Sequence, residues 1–192
     1  MRQIADRYYT DLIKFIHSMR AADRTGKQLG LSEGIEQAAL LIRAHTAGNG
    51  KIMFVGNGAS AAISSHMSTD FWKNGKIRAI AFNDSSGLTC IGNDYGYKHV
   101  FEKPIEMFAN PGDILIAISS SGKSENILLA AHAARKIDCK IITLSGFAEN
   151  NPLTSLGDIN FYVPANEYGP VEILHHSICH CILDTMVKAD HG

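Results

Sequence analysis

Neither sign of charge prevails in this chain, and little of it is charged at all. Of 192 residues, 18 are Lys or Arg and 19 are Asp or Glu, a formal net charge of −1 with 19% charged residues. Without a basic excess there is no electrostatic footprint for sequence-independent binding to a polyanion, which argues against nucleic acid as the direct ligand. No segment approaches the ~20 unbroken apolar residues that span a bilayer, so a membrane protein is excluded on that count. Cysteine is scarce and unpatterned: Cys90, Cys139, Cys179 and Cys181 contain no C-x-x-C pair, and no charged-then-apolar segment opens the chain. A reduced, cytoplasmic setting is expected. Cys179 and Cys181 lie two apart in an expected helix and point to different faces, so the cysteines read as apolar filler without a chemical role. Low-complexity linkers and internal repeats are absent as well, and residues 1–192 are expected to form a single domain, a length at which folding removes roughly 70% of the unfolded chain's surface from water.

Apolar runs and histidine are what the chain does have. Ile4, Tyr8, Leu12, Phe15, Ile16 and Met19 recur at helical spacing, and Ser32 is placed to cap a second helix through Ile35, Ala38, Ala39 and Ile42. Short continuous apolar runs then follow at 52–55, 77–82, 114–118, 141–144 and 159–163, with segments of helical composition between most of them. Continuous rather than alternating runs are the mark of parallel strands buried on both faces. The expectation is an α/β fold: a doubly wound, five-stranded parallel sheet preceded by two extra helices. A last helix runs from about Gly169 to Lys188, with Pro170 in its tolerated first turn.

In open parallel sheets ligands bind beyond the carboxyl ends of the strands. Two loops there have a phosphate-binding composition. Gly56-Asn57-Gly58-Ala59-Ser60-Ala61 fits G-x-G-x-x-A, which also admits a dinucleotide, with Asp84 as the ribose acid. The second, Ser119-Ser120-Ser121-Gly122-Lys123-Ser124, ends like a Walker A motif, but the position that needs its first glycine is Ala117, so the nucleoside-triphosphate reading fails. Hydroxyls and helix N–H groups together can saturate one small phosphate without a large positive charge. A monophosphate ester suits this loop better than a dinucleotide; helix capping and turn filling would account for one or two of the serines.

Nine histidines are present, three of them within six residues: His175, His176 and His180. On a helix, His66 and Asp70 share one face, and Glu172, His176 and His180 share another over about two turns, with His175 turned roughly 100° away. Zinc accepts such a His/Asp/Glu set, and the same groups suit general acid–base work near neutral pH. A phosphate cradle beside a proton-transfer pair is the equipment for moving a proton between adjacent carbons of a sugar phosphate, with a metal as one possible electrophile.

The run Gly56 to Ser60, then His66, then Ile91-Gly92-Asn93-Asp94-Tyr95-Gly96, then Ile118 to Ser124, resembles the sugar isomerase (SIS) domain family, in its phosphoheptose isomerase branch. The resemblance runs from the first helices to the last and implies a flavodoxin-like sheet and isomerisation of sedoheptulose 7-phosphate to glycero-manno-heptose 7-phosphate. By position it implies phosphate-binding serines at Ser60, Ser119, Ser120, Ser121 and Ser124. Asn57, Gly58, Asn93, Asp94 and Glu172 then line the substrate site. It further implies a divalent metal, zinc by type, on His66, Asp70, Glu172 and His180, with Asp70 and His180 as the proton-transfer pair.

Asp70 stands where the branch has a glutamate and Glu172 where it has a glutamine. Gly169 stands where an aspartate is frequent, and the arginine beyond the base is missing, Lys73 being the nearest cation. The branch also implies a homotetramer with shared active sites built around the first helices. Apolar residues spread around helix one (Tyr8, Tyr9, Phe15, Ile16, Met19) agree with more than one buried face. The family also contains a non-catalytic regulator that associates with the bacterial replication initiator, which leaves a binding-only reading open.

Overall fold

The structure, a computed structural model, describes residues 1–189. Helix α1 (Arg2–Ser18) leads into two short strands, β1 (Arg20–Asp23) and β2 (Gln28–Leu29), and then α2 (Leu31–Thr46). Alternating elements follow: β3 (Ile52–Gly56), α3 (Ala59–Lys73), β4 (Ala79–Ala81), α4 (Ser85–Asp94) and α5 (Glu102–Phe108). The chain ends with β5 (Ile114–Ser119), α6 (Glu125–Lys136), β6 (Lys140–Ser145), β7 (Ile159–Tyr162) and α7 (Tyr168–Ala189). Among the described residues no helix is long and apolar enough to cross a membrane.

The sheet order is β2-β1-β7-β6-β5-β3-β4. Strands β4, β3, β5, β6 and β7 are parallel throughout, the five expected from the apolar runs. The sheet nevertheless has seven strands, because β1 pairs antiparallel with β7 and β2 with β1. These two strands carry no apolar run. β1 buries Ala21 alone among its four residues and β2 is two residues long, as edge strands can be. The expected Ser32 cap is also corrected: α2 begins at Leu31 after Gly30, so Ser32 lies inside the first turn.

Period-2 alternation along the buried strands divides the core. Ile52, Phe54, Ile114 and Ile116 point to one face, where they meet Ile35 and Ile42 of α2, Met67 and Phe71 of α3, and Ile178 and Ile182 of α7. Met53, Val55, Leu115 and Ala117 point to the other and meet Ile105 of α5 and Ile127 of α6. Both faces are covered, which is why the strands read as continuous apolar runs. Helices α3 and α7 lie on the same face, so their polar stripes can meet above the carboxyl edge of the sheet.

The parallel strands follow the order 2-1-3-4-5, and the order reverses between β3 and β5. Gly56 and Ile118 pair at that edge. From there α3 departs over one face and α6 over the other, and the crevice between them receives both serine-containing loops.

Candidate functional site

The loops after β3 and β5 enclose a cavity of about 260 Å³ lined by Asn57, Gly58, Ser60, Ser119, Ser120, Ser121, Ser124, Tyr168 and Glu172. Two glycines make this turn possible. A Cβ on Gly56 would stand 2.5 Å from the backbone oxygen of Ser60, so only glycine lets α3 start so close to the strand. Gly122 has φ +61°, and a Cβ there would meet Asn151 Oδ1 at 1.8 Å. Asn151 is buried and donates from Nδ2 to Ser145 Oγ, Gly146 O and Ala148 O within its own loop after β6, and that loop is tied to the serine loop by the Gly146 and Leu153 N–H groups, which donate to Ser120 O and Gly122 O.

The serines are not spent on capping. Ser124 precedes α6 but its side chain makes no cap hydrogen bond; its hydroxyl instead accepts from Ser119 Oγ at 3.3 Å. Ser121 Oγ accepts from the Lys123 N–H. Ser60 and Ser119 are each 4% exposed and Ser120 6%. Hydroxyls gathered against the first turns of α3 and α6, whose leading N–H groups lack intrahelical partners, form a cradle for a small anion. A somewhat larger cavity, about 320 Å³, lies at the β1–β2 edge, far from these groups, and its Arg20 is already paired with Glu149 at 2.8 Å.

Asn57 is held rigidly beside that cradle. Its amide and that of Asn126 donate to each other, each at 2.9 Å, and Tyr97 Oη donates to Asn57 Oδ1 at 3.0 Å. Neither Asn126 nor Tyr97 emerged from the sequence. Asn126 could have been found as a buried-side polar residue in the first turn of α6, whereas Tyr97 offered no signal.

At the other end of the crevice α3 and α7 bring His66, Asp70, His176 and His180 together. His66 Nε2 lies 3.3 Å and His180 Nδ1 3.9 Å from Asp70 Oδ2. One ring nitrogen from each of His66, His176 and His180 falls within 4.8 Å of the others. Ring centroids stand 5.1 Å (His66–His176), 5.5 Å (His66–His180) and 4.6 Å (His176–His180) apart. His176 Nε2 is buried and has no hydrogen-bond partner among the described residues. Burial first, then the neighbouring His180 and His66, push the His176 imidazole below its ordinary value, which favours the neutral form. Three imidazoles beside a carboxylate, one with an orphaned nitrogen, are the donor set a divalent metal such as zinc accepts. Glu172 is not in this group; it sits one turn earlier on α7 and lines the serine cavity.

Asn93 and Asp94 end α4, exposed and outside the serine cavity, with Asn93 Nδ2 donating to Asp94 Oδ1 at 2.8 Å. Asp84 is the N-cap of α4. It accepts from Gly87 N–H and Ser86 Oγ, and these bonds hold its carboxyl below the usual range. That engagement gives Asp84 a structural role and removes the ribose-acid argument. Lys73 closes α3 and is exposed. His175 is fully buried, donates from Nε2 to Ser145 O at 3.1 Å, and is pushed down to about 4 by burial. The cysteines are free, Cys139 and Cys179 buried, Cys90 and Cys181 exposed.

Residues 14–146 match the SIS domain model. A phosphoheptose isomerase of Helicobacter hepaticus is 39% identical over 160 residues, 80% of this chain and 81% of the relative. Among solved structures, the phosphoheptose isomerase of Neisseria gonorrhoeae superposes with a TM-score of 0.85 at 30% identity, covering 96% of this chain and 98% of that one. The phosphoheptose isomerase of Francisella tularensis gives 0.86 at 28% identity, covering 98% of each.

Proposed function

This chain belongs to the SIS domain family, in its phosphoheptose isomerase branch, and we propose from that premise that it interconverts a ketose phosphate and its aldose phosphate. The substrate pair is sedoheptulose 7-phosphate and glycero-manno-heptose 7-phosphate. The observation that carries this reading is the distance along two helices between a hydroxyl cradle and a proton-transfer pair. From Ser60 to Asp70 on α3, ten residues at 1.5 Å each, is ~15 Å, less the reach of the Asp70 side chain back toward the helix N-terminus, and from Glu172 to His180 along α7 is ~12 Å. A sugar chain anchored by its phosphate among Ser60, Ser119, Ser120, Ser121 and Ser124 reaches toward Asp70 and His180 with its carbonyl end.

The reaction needs a proton taken from the carbon beside the carbonyl and one returned to the former carbonyl carbon. Asp70, with 17% of its side chain exposed, is shielded yet reachable, and His180 lies 3.9 Å from it. Asp70 and His180 share the proton transfers, while Asn57, fixed by Asn126 and Tyr97, offers its remaining amide hydrogen to a substrate oxygen. A divalent metal, zinc by type, would be held around His66, Asp70 and His180 and would supply an electrophile for the oxygen that becomes negative. Aspartate is one methylene shorter than the glutamate of the branch. Misplacement on the order of 1 Å can cost about 10²-fold in rate, so Asp70→Glu directly measures the fit.

The same reading extends to assembly as a homotetramer with shared sites. On α1 no residue is buried within one chain, and Ile4, Tyr9, Ile13 and Ile16 are 73, 66, 57 and 42% exposed. An apolar groove of about 420 Å³ between α1, α2 and α7 continues that surface. The test is turnover of sedoheptulose 7-phosphate, followed as appearance of the aldose phosphate, against the Asp70→Asn and His180→Gln variants.

A further inference from the structure

We propose that the metal site of this chain is a three-imidazole site completed by His176, and that Glu172 is not a ligand but a carboxylate facing the sugar-phosphate cavity. The inference rests on the metal reading above and narrows it to particular residues. It concerns which side chain of α7 reaches the ion, a choice that the i, i+4 spacing of Glu172, His176 and His180 leaves open.

The geometry decides for His176. Donors around a tetrahedral zinc at 2.0–2.1 Å lie roughly 3.4 Å apart, and the His66, His176 and His180 nitrogens are already within 4.8 Å of one another, a separation that side-chain rotation can close. No carboxylate of Glu172 belongs to that group. Glu172 lies instead beside Ser60 and Ser124.

The second argument is the orphaned Nε2 of His176. A buried polar atom without a partner costs about 1–3 kcal/mol, and among the described residues no side chain or backbone group satisfies this one. A buried imidazole nitrogen left unpartnered in a residue whose ring stands 5.1 Å from His66 and 4.6 Å from His180 has a metal ion as a natural partner. Asp70, 3.3 Å from His66 Nε2 and 3.9 Å from His180 Nδ1, stands beside the cluster as the anionic member or as the group that orients both rings. Three imidazole ligands favour zinc, cobalt, nickel or copper over magnesium or calcium.

The division of labour has a chemical consequence. A coordinated Glu172 would be neutralised by the ion, whereas a free one places a negative charge beside the phosphate cradle. That charge disfavours a fully ionised phosphate unless the carboxylate accepts hydrogen bonds from sugar hydroxyls, so Glu172 acts in selecting a hydroxyl-rich substrate.

The experiment uses the full-length chain stripped with chelator and reloaded with Zn²⁺ or Co²⁺, without substrate. X-ray absorption of the zinc form is expected to count three imidazoles, and a chromophoric-chelator competition to give a wild-type affinity that Mg²⁺ and Ca²⁺ do not reduce. His176→Leu is expected to lower Zn²⁺ affinity at least 10-fold with unchanged far-UV circular dichroism, and Glu172→Gln to change it less than 3-fold. Two imidazoles in the wild-type spectrum, or a Glu172→Gln loss equal to that of His176→Leu, overturns the assignment. Should His176→Leu not fold, the wild-type imidazole count decides alone. A three-imidazole site with no isomerase turnover leaves this inference standing and removes the isomerase reading; full turnover with a two-imidazole site does the reverse.

Discussion

Asn57 and Asn126 hydrogen-bond to each other through both side-chain amides, each bond 2.9 Å, and so lock the loop after β3 to the first turn of α6. These are the loops on either side of the strand-order reversal, and the pair holds the cradle's two halves in register. Asn126 is 3% exposed, so Asn126→Ala leaves a shielded Asn57 amide without its partner. Such a loss costs about 1–3 kcal/mol, equivalent to a melting-temperature drop of roughly 2–4 °C per kcal/mol at this size. Thermal melts are expected to show that drop, and steady-state kinetics a raised KM, since the substrate must then order the loop itself.

The cradle can be tested from its backbone and from its hydroxyls. Ser124→Ala removes a neutral donor from a charged ligand, an interaction worth about 1.5–3 kcal/mol, so KM is expected to rise about 10- to 100-fold with kcat little changed. Gly122→Ala is expected to be worse in both stability and KM, because a left-handed residue would carry a Cβ 1.8 Å from Asn151 Oδ1. Equal, small effects from both substitutions would mean that the serine loop does not hold the phosphate.

Much of this site was legible before the fold was known. The serine loop, the glycine loop, His66, Asp70 and His180 carry their chemistry in residue type and helical spacing, and the five parallel strands in uninterrupted apolar runs. What was not legible has physical reasons. β1 and the edge strand β2 are short, and their pairing is backbone chemistry, invisible in hydrophobic pattern. The pairing of Asn57 with Asn126 joins residues 69 positions apart. Glu172 and His176 fall on one helical face, and spacing alone cannot say which of them looks toward α3; only the packing of α3 against α7 does.

Buried His175 makes stability depend on pH in a defined window. Its imidazole is held at about 4 against an ordinary 6.5, by burial first. Between those values the unfolded chain binds a proton that the folded chain refuses, so its contribution is complete above 6.5 and is lost as pH falls toward 4. The span corresponds to about 3 kcal/mol. Melting temperatures of chelator-treated protein from pH 7.5 to 4.5 are expected to fall more steeply for wild type than for His175→Gln; parallel slopes would assign the loss to other groups.

Thiol reactivity separates the four cysteines and reports on assembly. Burial pushes Cys139 up to about 11 and Cys179 up to about 12, so neither offers a thiolate near neutrality. Native alkylation followed by mass spectrometry is expected to modify Cys90 and spare Cys139 and Cys179 until the protein is denatured. Cys181 lines the groove beside Ile16 and Ile178. Its protection at high protein concentration and labelling on dilution, matched to light-scattering mass, would show that this face is covered by another copy.

Conversion of sedoheptulose 7-phosphate by the zinc-loaded chain, compared with Asp70→Asn and His180→Gln at matched metal content, tests the isomerase activity most directly. Positioned acid–base groups contribute about 10²- to 10⁴-fold, so the aldose phosphate is expected to form at least 10²-fold faster with wild type than with either variant. A wild-type rate no higher than that of the variants would contradict the account.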